Sequence, residues 1–290
     1  DMEGISKEGL MKYISEDYWE YDKELRKQFG VPEDYHSTRG GALWTLEGTR
    51  AQVEVCLENN VPVLVAGLGR LGWAVPECRE RGIKTISIGA NVKQAMKHVE
   101  DRVDLIVAQG YDAGGHTGNI GTMAVVPQIV DAVKPIPVAA AGGIADARGL
   151  VAALALGAVG VWCGSSEVTF TERQKDRLIA ATERDALISK AISGKTLRQL
   201  RTPFTTAWDE GPKPPLGYPF HGILTLDIID YAYEHKDQEE FDSILVTPTS
   251  QAARLLDRRR SSKQIIDDMV TEAVTILDET IPSQVEAGRD

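Results

Sequence analysis

The 290-residue sequence is short of cysteine, of positive charge and of long apolar runs. Its three cysteines, Cys56, Cys78 and Cys163, are scattered and form no Cys-x-x-Cys pair, which excludes a disulfide framework and a zinc cluster. That usage fits a reducing, cytoplasmic compartment. Thirty-two basic residues stand against 43 acidic ones, for a net charge of −11. A nucleic-acid footprint needs a basic patch, and a hold on anionic lipid needs a polybasic cluster, so neither partner is expected. No apolar run approaches the roughly 18 residues of a membrane span. The longest stretch, Val151 to Gly164, is broken by glycines, and Asp1 to Tyr21 is acidic and has no signal-peptide core. No Gly-x-Ser-x-Gly elbow and no set of His, Cys, Asp and Glu at metal-ligand spacing is present, so hydrolase and metalloenzyme readings lack support.

The chain does contain five short, nearly continuous apolar runs: Pro62–Gly67, Lys84–Gly89, Asp104–Gln109, Ile136–Ala141 and Gly160–Gly164. Unbroken apolar character is the mark of strands covered on both faces, as in a parallel sheet. The runs start 20 to 32 residues apart with helix-like sequence between them, the spacing of βαβ units. Right-handed crossovers then give either a doubly wound sheet or a closed barrel. Asp146 is placed to cap a helix running to Leu156, with Gly157 as its left-handed stop. Leu150, Val151, Leu154 and Ala155 share a face that should pack on the sheet. The flanks differ. Residues 5–29 read as amphipathic helix, 171–200 as a charged helix, 202–222 with five prolines as irregular loop, and 223–242 and 261–279 as two more helices. In the last, Ile265, Ile266, Met269, Val270, Ala273 and Leu277 form a docking stripe. The organisation expected is an N-terminal helical and loop segment (1–48), a stretch of βα units (49–170), and C-terminal helices with the Pro-rich loop packing on them (171–290).

Three glycine-rich stretches follow predicted strands, where parallel sheets bind ligands. Gly67-Leu68-Gly69-Arg70-Leu71-Gly72 is a formal Gly-x-Gly-x-x-Gly. A dinucleotide site needs an acidic residue at the end of the next strand, and that strand ends Ile88-Gly89-Ala90-Asn91. The bland reading is a glycine-lined turn beside another ligand. Ala108-Gln109-Gly110-Tyr111-Asp112-Ala113-Gly114-Gly115-His116-Thr117-Gly118 carries four glycines within nine residues, so backbone can approach a flat ligand closely. On this turn His116 can exchange a proton near neutral pH, and Gln109 offers both donor and acceptor. Alone, His116 reads as a loop histidine with local hydrogen bonds. His36, His98, His221 and His235 read as surface or structural. Ala139-Ala140-Ala141-Gly142-Gly143 opens a helix, and Trp162-Cys163-Gly164-Ser165-Ser166 follows one unit later. Two amide-rich turns on consecutive strands suit a phosphate. The bland alternative is two capping turns with no ligand.

The strings AQGYDAGGHTG and AAGGIADARGLVAALALGAVGVWCGS, with SIGANVKQAMKHVEDRVDLIVAQG and KTLRQLRTPFTTAWDEG, resemble the nitronate monooxygenase (2-nitropropane dioxygenase) family and its relatives, the FMN-type enoyl-acyl-carrier-protein reductases. The resemblance covers about residues 60–210. It implies an α/β fold, a (β/α)8 TIM barrel with a C-terminal helical extension, in which these runs are strands four to eight. The first three strands have no counterpart in this sequence, and the front of the barrel is expected to lie outside it. By resemblance, His116 is the catalytic base near the flavin. Gln109 and Gly110 contact its ring, and Gly114 and Gly115 line the flavin and substrate. Gly142, Gly143, Gly164 and Ser165 bind the FMN phosphate through backbone N–H groups. The implied activity is FMN-dependent oxidation of nitronates or nitroalkanes by dioxygen to a carbonyl compound and nitrite. The alternatives are an NAD(P)H-dependent enoyl-thioester reductase and a non-catalytic phosphate-ligand barrel. Asp112 stands where the family has Glu, Ser165-Ser166-Glu167 replaces the usual Thr-Arg-Phe, and Thr249-Ser250-Gln251-Ala252 resembles a degraded Gly-Gln segment. The implied partners are a small-molecule substrate and dioxygen, and the acidic flanks and apolar stripes suit a homodimer.

Overall fold

The computed structural model describes residues 7–38, 46–164 and 168–286. The chain forms two compact units, each built from two separated stretches: residues 1–55 with 171–249, and residues 56–170 with 250–290.

The second unit holds a five-stranded parallel sheet, β1 (Val63–Ala66), β2 (Lys84–Gly89), β3 (Leu105–Gln109), β5 (Val138–Ala141) and β6 (Gly160–Trp162). A two-residue strand, β4 (Gly115–His116), lies between β3 and β5 in sequence. The sheet order is β1-β2-β3-β5-β6, with every pairing parallel. Strands thus add one after another in one direction. A doubly wound nucleotide fold reverses its order at a switch point, and a barrel does not. The fold is therefore α/β with a barrel-type run of consecutive strands.

Between them lie helices α4 (Val75–Glu80), α5 (Val92–Glu100), α6 (Thr122–Val133) and α7 (Ala147–Ala155). Each starts for a local reason. Pro76 sits in the first turn of α4, where its missing N–H is not needed. The side chain of Asn91 accepts from Gln94 N and caps α5, and Asp146 caps α7. Gly157, at φ +92°, ends the α7 turn. The α7 face expected to pack on the sheet docks instead, and only in part, on a C-terminal helix. Leu150 and Val151 pack with Ala147 against Ala273 and Ile276, whereas Leu154 is exposed. Ala273 belongs to α11 (Ser262–Thr275), which runs through a π-helical turn, Ile276–Thr280, into α12 (Ile281–Glu286). Only part of its predicted stripe docks. Met269 and Ala273 are buried, while Ile266, Val270 and Leu277 face outward.

In the first unit, α1 (Lys7–Met11) and α2 (Glu16–Gln28) replace the single predicted N-terminal helix, because Ser15 starts a new one. The expected charged helix at 171–200 is α8 (Glu172–Ala180) followed by an antiparallel pair, β7 (Ala186–Ser189) and β8 (Leu197–Leu200). The expected loop at 202–222 contains α9 (Pro203–Asp209). Thr202 caps it reciprocally with Thr205, and Pro203 occupies the first helical turn, so this proline starts a helix. Helix α10 (Phe220–Glu234) completes a core around Leu25, Phe204, Trp208, Leu224 and Ile228. Arg26, nearly buried, is held there by Asp22 at 2.8 Å and Asp227 at 2.7 Å. Helix α3 (Leu46–Glu58) precedes β1 and buries Val53 and Leu57.

Candidate functional site

The candidate site lies at the carboxyl ends of the parallel strands. Gln109 is the last residue of β3, and His116 lies seven residues on, in β4. Both line one cleft of about 300 Å³. Its remaining walls come from the turn after β1 (Gly67 to Arg70) and from Asn91, Lys97 and His98 on the β2–α5 side. The glycine-rich turn after β1 therefore borders a cleft shared with other elements. Arg70 is engaged by Asp101, with Nε donating to Oδ2 at 2.9 Å, so this pair fixes the turn against the end of α5.

A second cluster surrounds Gly110. Gly110 N donates to Ala141 O at 2.9 Å, and Thr122 Oγ1 donates to Gly142 O at 2.9 Å. Thr122 N donates to Asp112 Oδ2 at 2.8 Å, and Gln251 N donates to Asp112 O at 3.0 Å. Asp112 thus anchors the start of α6 and the 250–252 segment at once. Gly110 is required by space: a Cβ there would stand 2.1 Å from Thr122 Oγ1. Gly142 (φ +103°) and Gly143 (φ +72°) make a left-handed turn directly above this loop, and a Cβ on Gly143 would meet that of Asp112 at 3.0 Å.

Ala141 and Trp162 are register partners on neighbouring strands. Gly143 and Gly164 each lie two residues further on, so the two turns leave adjacent strands at the same level. Neighbouring strands are about 4.8 Å apart, close enough for one anion to span. The first turn of α7 is already served. Asp146 accepts from Arg148 N at 3.0 Å and Gly149 N at 3.4 Å, and Arg148 Nε donates back at 2.9 Å. This pairing with Arg148 holds the Asp146 carboxyl below its ordinary value. The amides of Gly142 and Gly143, ahead of the helix, find no acceptor among the described residues. The amides left over for a ligand are therefore those of the turn itself rather than those of the helix's first turn.

The structure brings Gln109 and His116 onto one cleft, and Gly110, Gly142 and Gly143 into one hydrogen-bonded block. Gly114 and Gly115 lie on the loop joining β3 to His116, with Gly115 at φ +75°. Gly164 is exposed at the end of β6, and Ser165 lies outside the described residues. Sequence reasoning passed over His98 because charged residues surround it. It lies three residues after Ala95 on the inward face of α5, and both are buried. That i, i+3 pairing was the available signal. Cys163, beside Gly164, has its thiol pushed up to about 11 by burial, which makes it a poor nucleophile.

The arrangement suits a ligand with an anionic tail and a flat ring. The turns at 142–143 and 164 carry no side chain, and Gln109, in register with Ala141, stands at the strand end beside the first of them and shares its cleft with His116.

The chain is similar to several known proteins. The nitronate monooxygenase profile matches residues 11–272. A Mycobacterium tuberculosis protein named as a monooxygenase is 34% identical over 296 residues, covering 93% of this chain and 76% of that protein. A Staphylococcus aureus protein named as a nitronate monooxygenase is 34% identical over 206 residues. That match covers 66% of this chain and 58% of the relative, so the chain spans less than two thirds of it. Among solved structures, a point variant of FabK from Thermotoga maritima superposes with TM-score 0.65 at 29% identity, covering 80% of this chain and 73% of that one. A nitroalkane oxidase from Streptomyces ansochromogenes shares the fold, with TM-score 0.76 at 24% identity over 91% of this chain and 78% of that one.

Proposed function

The chain belongs to the nitronate monooxygenase family, whose members are flavin-dependent oxidoreductases, and from that premise we propose that it binds FMN and oxidises nitronates or nitroalkanes with dioxygen to a carbonyl compound and nitrite. The observation that carries this reading is the placement of Gln109 and His116 on one cleft, at the same end of the sheet as two in-register glycine turns. FMN, when bound, supplies the redox and oxygen chemistry.

The chain's residues have simpler tasks. The amides of Gly142, Gly143, Gly164 and Ser165 hold the phosphate. Gly114 and Gly115 let backbone approach the ring, Gly110 contacts it through its backbone, and Gln109 hydrogen-bonds its edge. His116 takes the acidic α-proton of a neutral nitroalkane. A nitronate has already lost that proton, so His116 has no proton to take from it. The reading includes a small-molecule substrate, a cytoplasmic setting in which Cys56, Cys78 and Cys163 stay free thiols, and self-association as a homodimer.

The test uses the full-length protein. It should purify yellow or take up FMN, and should consume dioxygen with the anion of nitroethane. His116→Ala should lower kcat/KM for neutral nitroethane by about 10²–10⁴ and for its anion far less. A colourless protein that takes up no FMN on reconstitution defeats the proposal. The likeness to FabK favours one second reading, an FMN-dependent reductase that uses NAD(P)H on an enoyl thioester. Anaerobic bleaching of the flavin by NAD(P)H but not by nitronate would select it.

A further inference from the structure

The C-terminal helix carries two apolar rows, and only one of them is covered. From Ser262 to Glu286 the backbone is helical without a break, through α11, its π-helical turn and α12. Met269 and Ala273 are buried, and Ala273 and Ile276 pack on α7. One residue further along each time, and so about 100° round the helix, lies the second row. It consists of Ile266, Val270, Val274, Leu277, Ile281 and Val285, exposed by 39% to 61%. Single exposed apolar residues are ordinary, whereas a contiguous row of them marks an interaction surface.

The spacing of the row selects its occupant. Its steps are four, four, three, four and four residues. A four-residue step drifts about 40° round an α-helix and a three-residue step returns about 60°, so the row keeps to one face. The alternation of four and three through Val270, Val274, Leu277 and Ile281 is that of a coiled-coil seam. The steps also read the same from either end. Reversed and laid on itself, the row sets Val274 against Leu277, Val270 against Ile281 and Ile266 against Val285. A two-fold interface is self-complementary in this way, with residue i facing j and j facing i. An unrelated partner places no such demand on the spacing.

Charge fixes the direction. Residues 254–263, at the head of the helix, hold five basic residues and one acidic, whereas 264–286 hold six acidic residues and no basic one. Two copies running the same way would set head on head and tail on tail. Two copies running in opposite directions bring each basic head to its partner's acidic tail.

We infer that this row is the contact surface of a second copy of the chain, the two C-terminal helices lying antiparallel about an axis at the level of Thr275 and Ile276. This rests on the homodimer reading above and gives that dimer its surface.

The experiment follows the mass of the full-length protein by sedimentation over a dilution series. The wild type should be a dimer that dissociates on dilution. Val274→Glu places two carboxylates in each interface and should weaken the dimer by about a hundredfold or more. Diluted until both are monomers, variant and wild type should melt alike, because Val274 is exposed in the single chain. A second arm reads direction. A nitroxide on an encoded amino acid at position 263 should lie about 35–40 Å from its mate in the dimer, and one at position 275 much closer. A wild type that is monomeric throughout overturns the surface and the homodimer together. A dimer that survives Val274→Glu overturns the surface alone. So does a variant that melts early as a monomer, since the row is then covered within the protein itself. A short distance at position 263 overturns the antiparallel pairing. None of these measurements uses turnover, so a protein that oxidises no nitronate leaves the surface standing.

Discussion

The two faces of the parallel sheet are finished differently. One carries Leu64, Thr85, Ser87, Ile106, Ala108, Val138 and Ala140, every one buried. Helices α4 to α7 pack on these strands and exclude water there. The opposite face carries Val65, Ile86, Leu105, Val107, Ala139, Ala141 and Trp162, set in rows by the strand register. Its centre is buried at Val107 and Ala141, but its rims are open, with Val65 at 37% and Trp162 at 43% exposure. That second face also runs up to Gln109, at the cleft. The covered face carries stability, and the open one leads to the candidate cleft.

The comparison breaks most directly at Ile106 and Val65. Ile106→Ala, on the covered face, should destabilise the protein by about 2–5 kcal/mol in denaturant unfolding, and Val65→Ala by well under half of that. Equal losses would show that both faces are packed alike. The glycine block at the strand ends gives a smaller contrast. Gly110→Ala forces a methyl against Thr122 and should cost about 1–3 kcal/mol. Gly164→Ala meets nothing within 4 Å and should stay within about 0.5 kcal/mol. Matched midpoints for the two variants would remove the distinction between a packing glycine and an approach glycine.

The smallest effect concerns pH. The folded His98 binds its proton less readily than the unfolded chain does, so the unfolded state takes up more protons as the solution is acidified. Its contribution is whole above the ordinary histidine value near 6.5 and is lost as pH falls toward the depressed folded value. His98→Phe should flatten that part of the stability–pH curve, measured by unfolding midpoints between about pH 7 and 5. An unchanged slope would mean that the ring is not buried neutral beneath α5.

Much of this was legible in the residues. Lys84–Gly89 is β2 residue for residue, although its Lys-Thr-Ile-Ser-Ile-Gly alternates and buries Thr85 and Ser87, and the other four runs contain β1, β3, β5 and β6, as strands covered on both sides need apolar residues on both faces. What escaped was set by local caps and long-range pairing. Leu197-Arg198-Gln199-Leu200 has no apolar run, yet it is strand because β7 pairs with it. Pro203 suggested a break and instead begins α9, since Thr202 stands in front of it. Of the candidate site, the glycines and His116 were marked by their composition. His98 was not, because its burial on the inward face of α5 becomes visible only in the fold.

The carboxylate that Asp146 lends to the start of α7 has a consequence for the phosphate proposed to rest on the turn before it. A bare carboxylate there would repel a phosphate. Arg148, clamped on the same side chain, cancels that repulsion, so the two residues form a neutral doorstep. Arg148→Ala would uncover the negative charge and turn the affinity of this turn for anions into a quantity set by ionic strength, weak in dilute buffer and recovering as salt screens the doorstep.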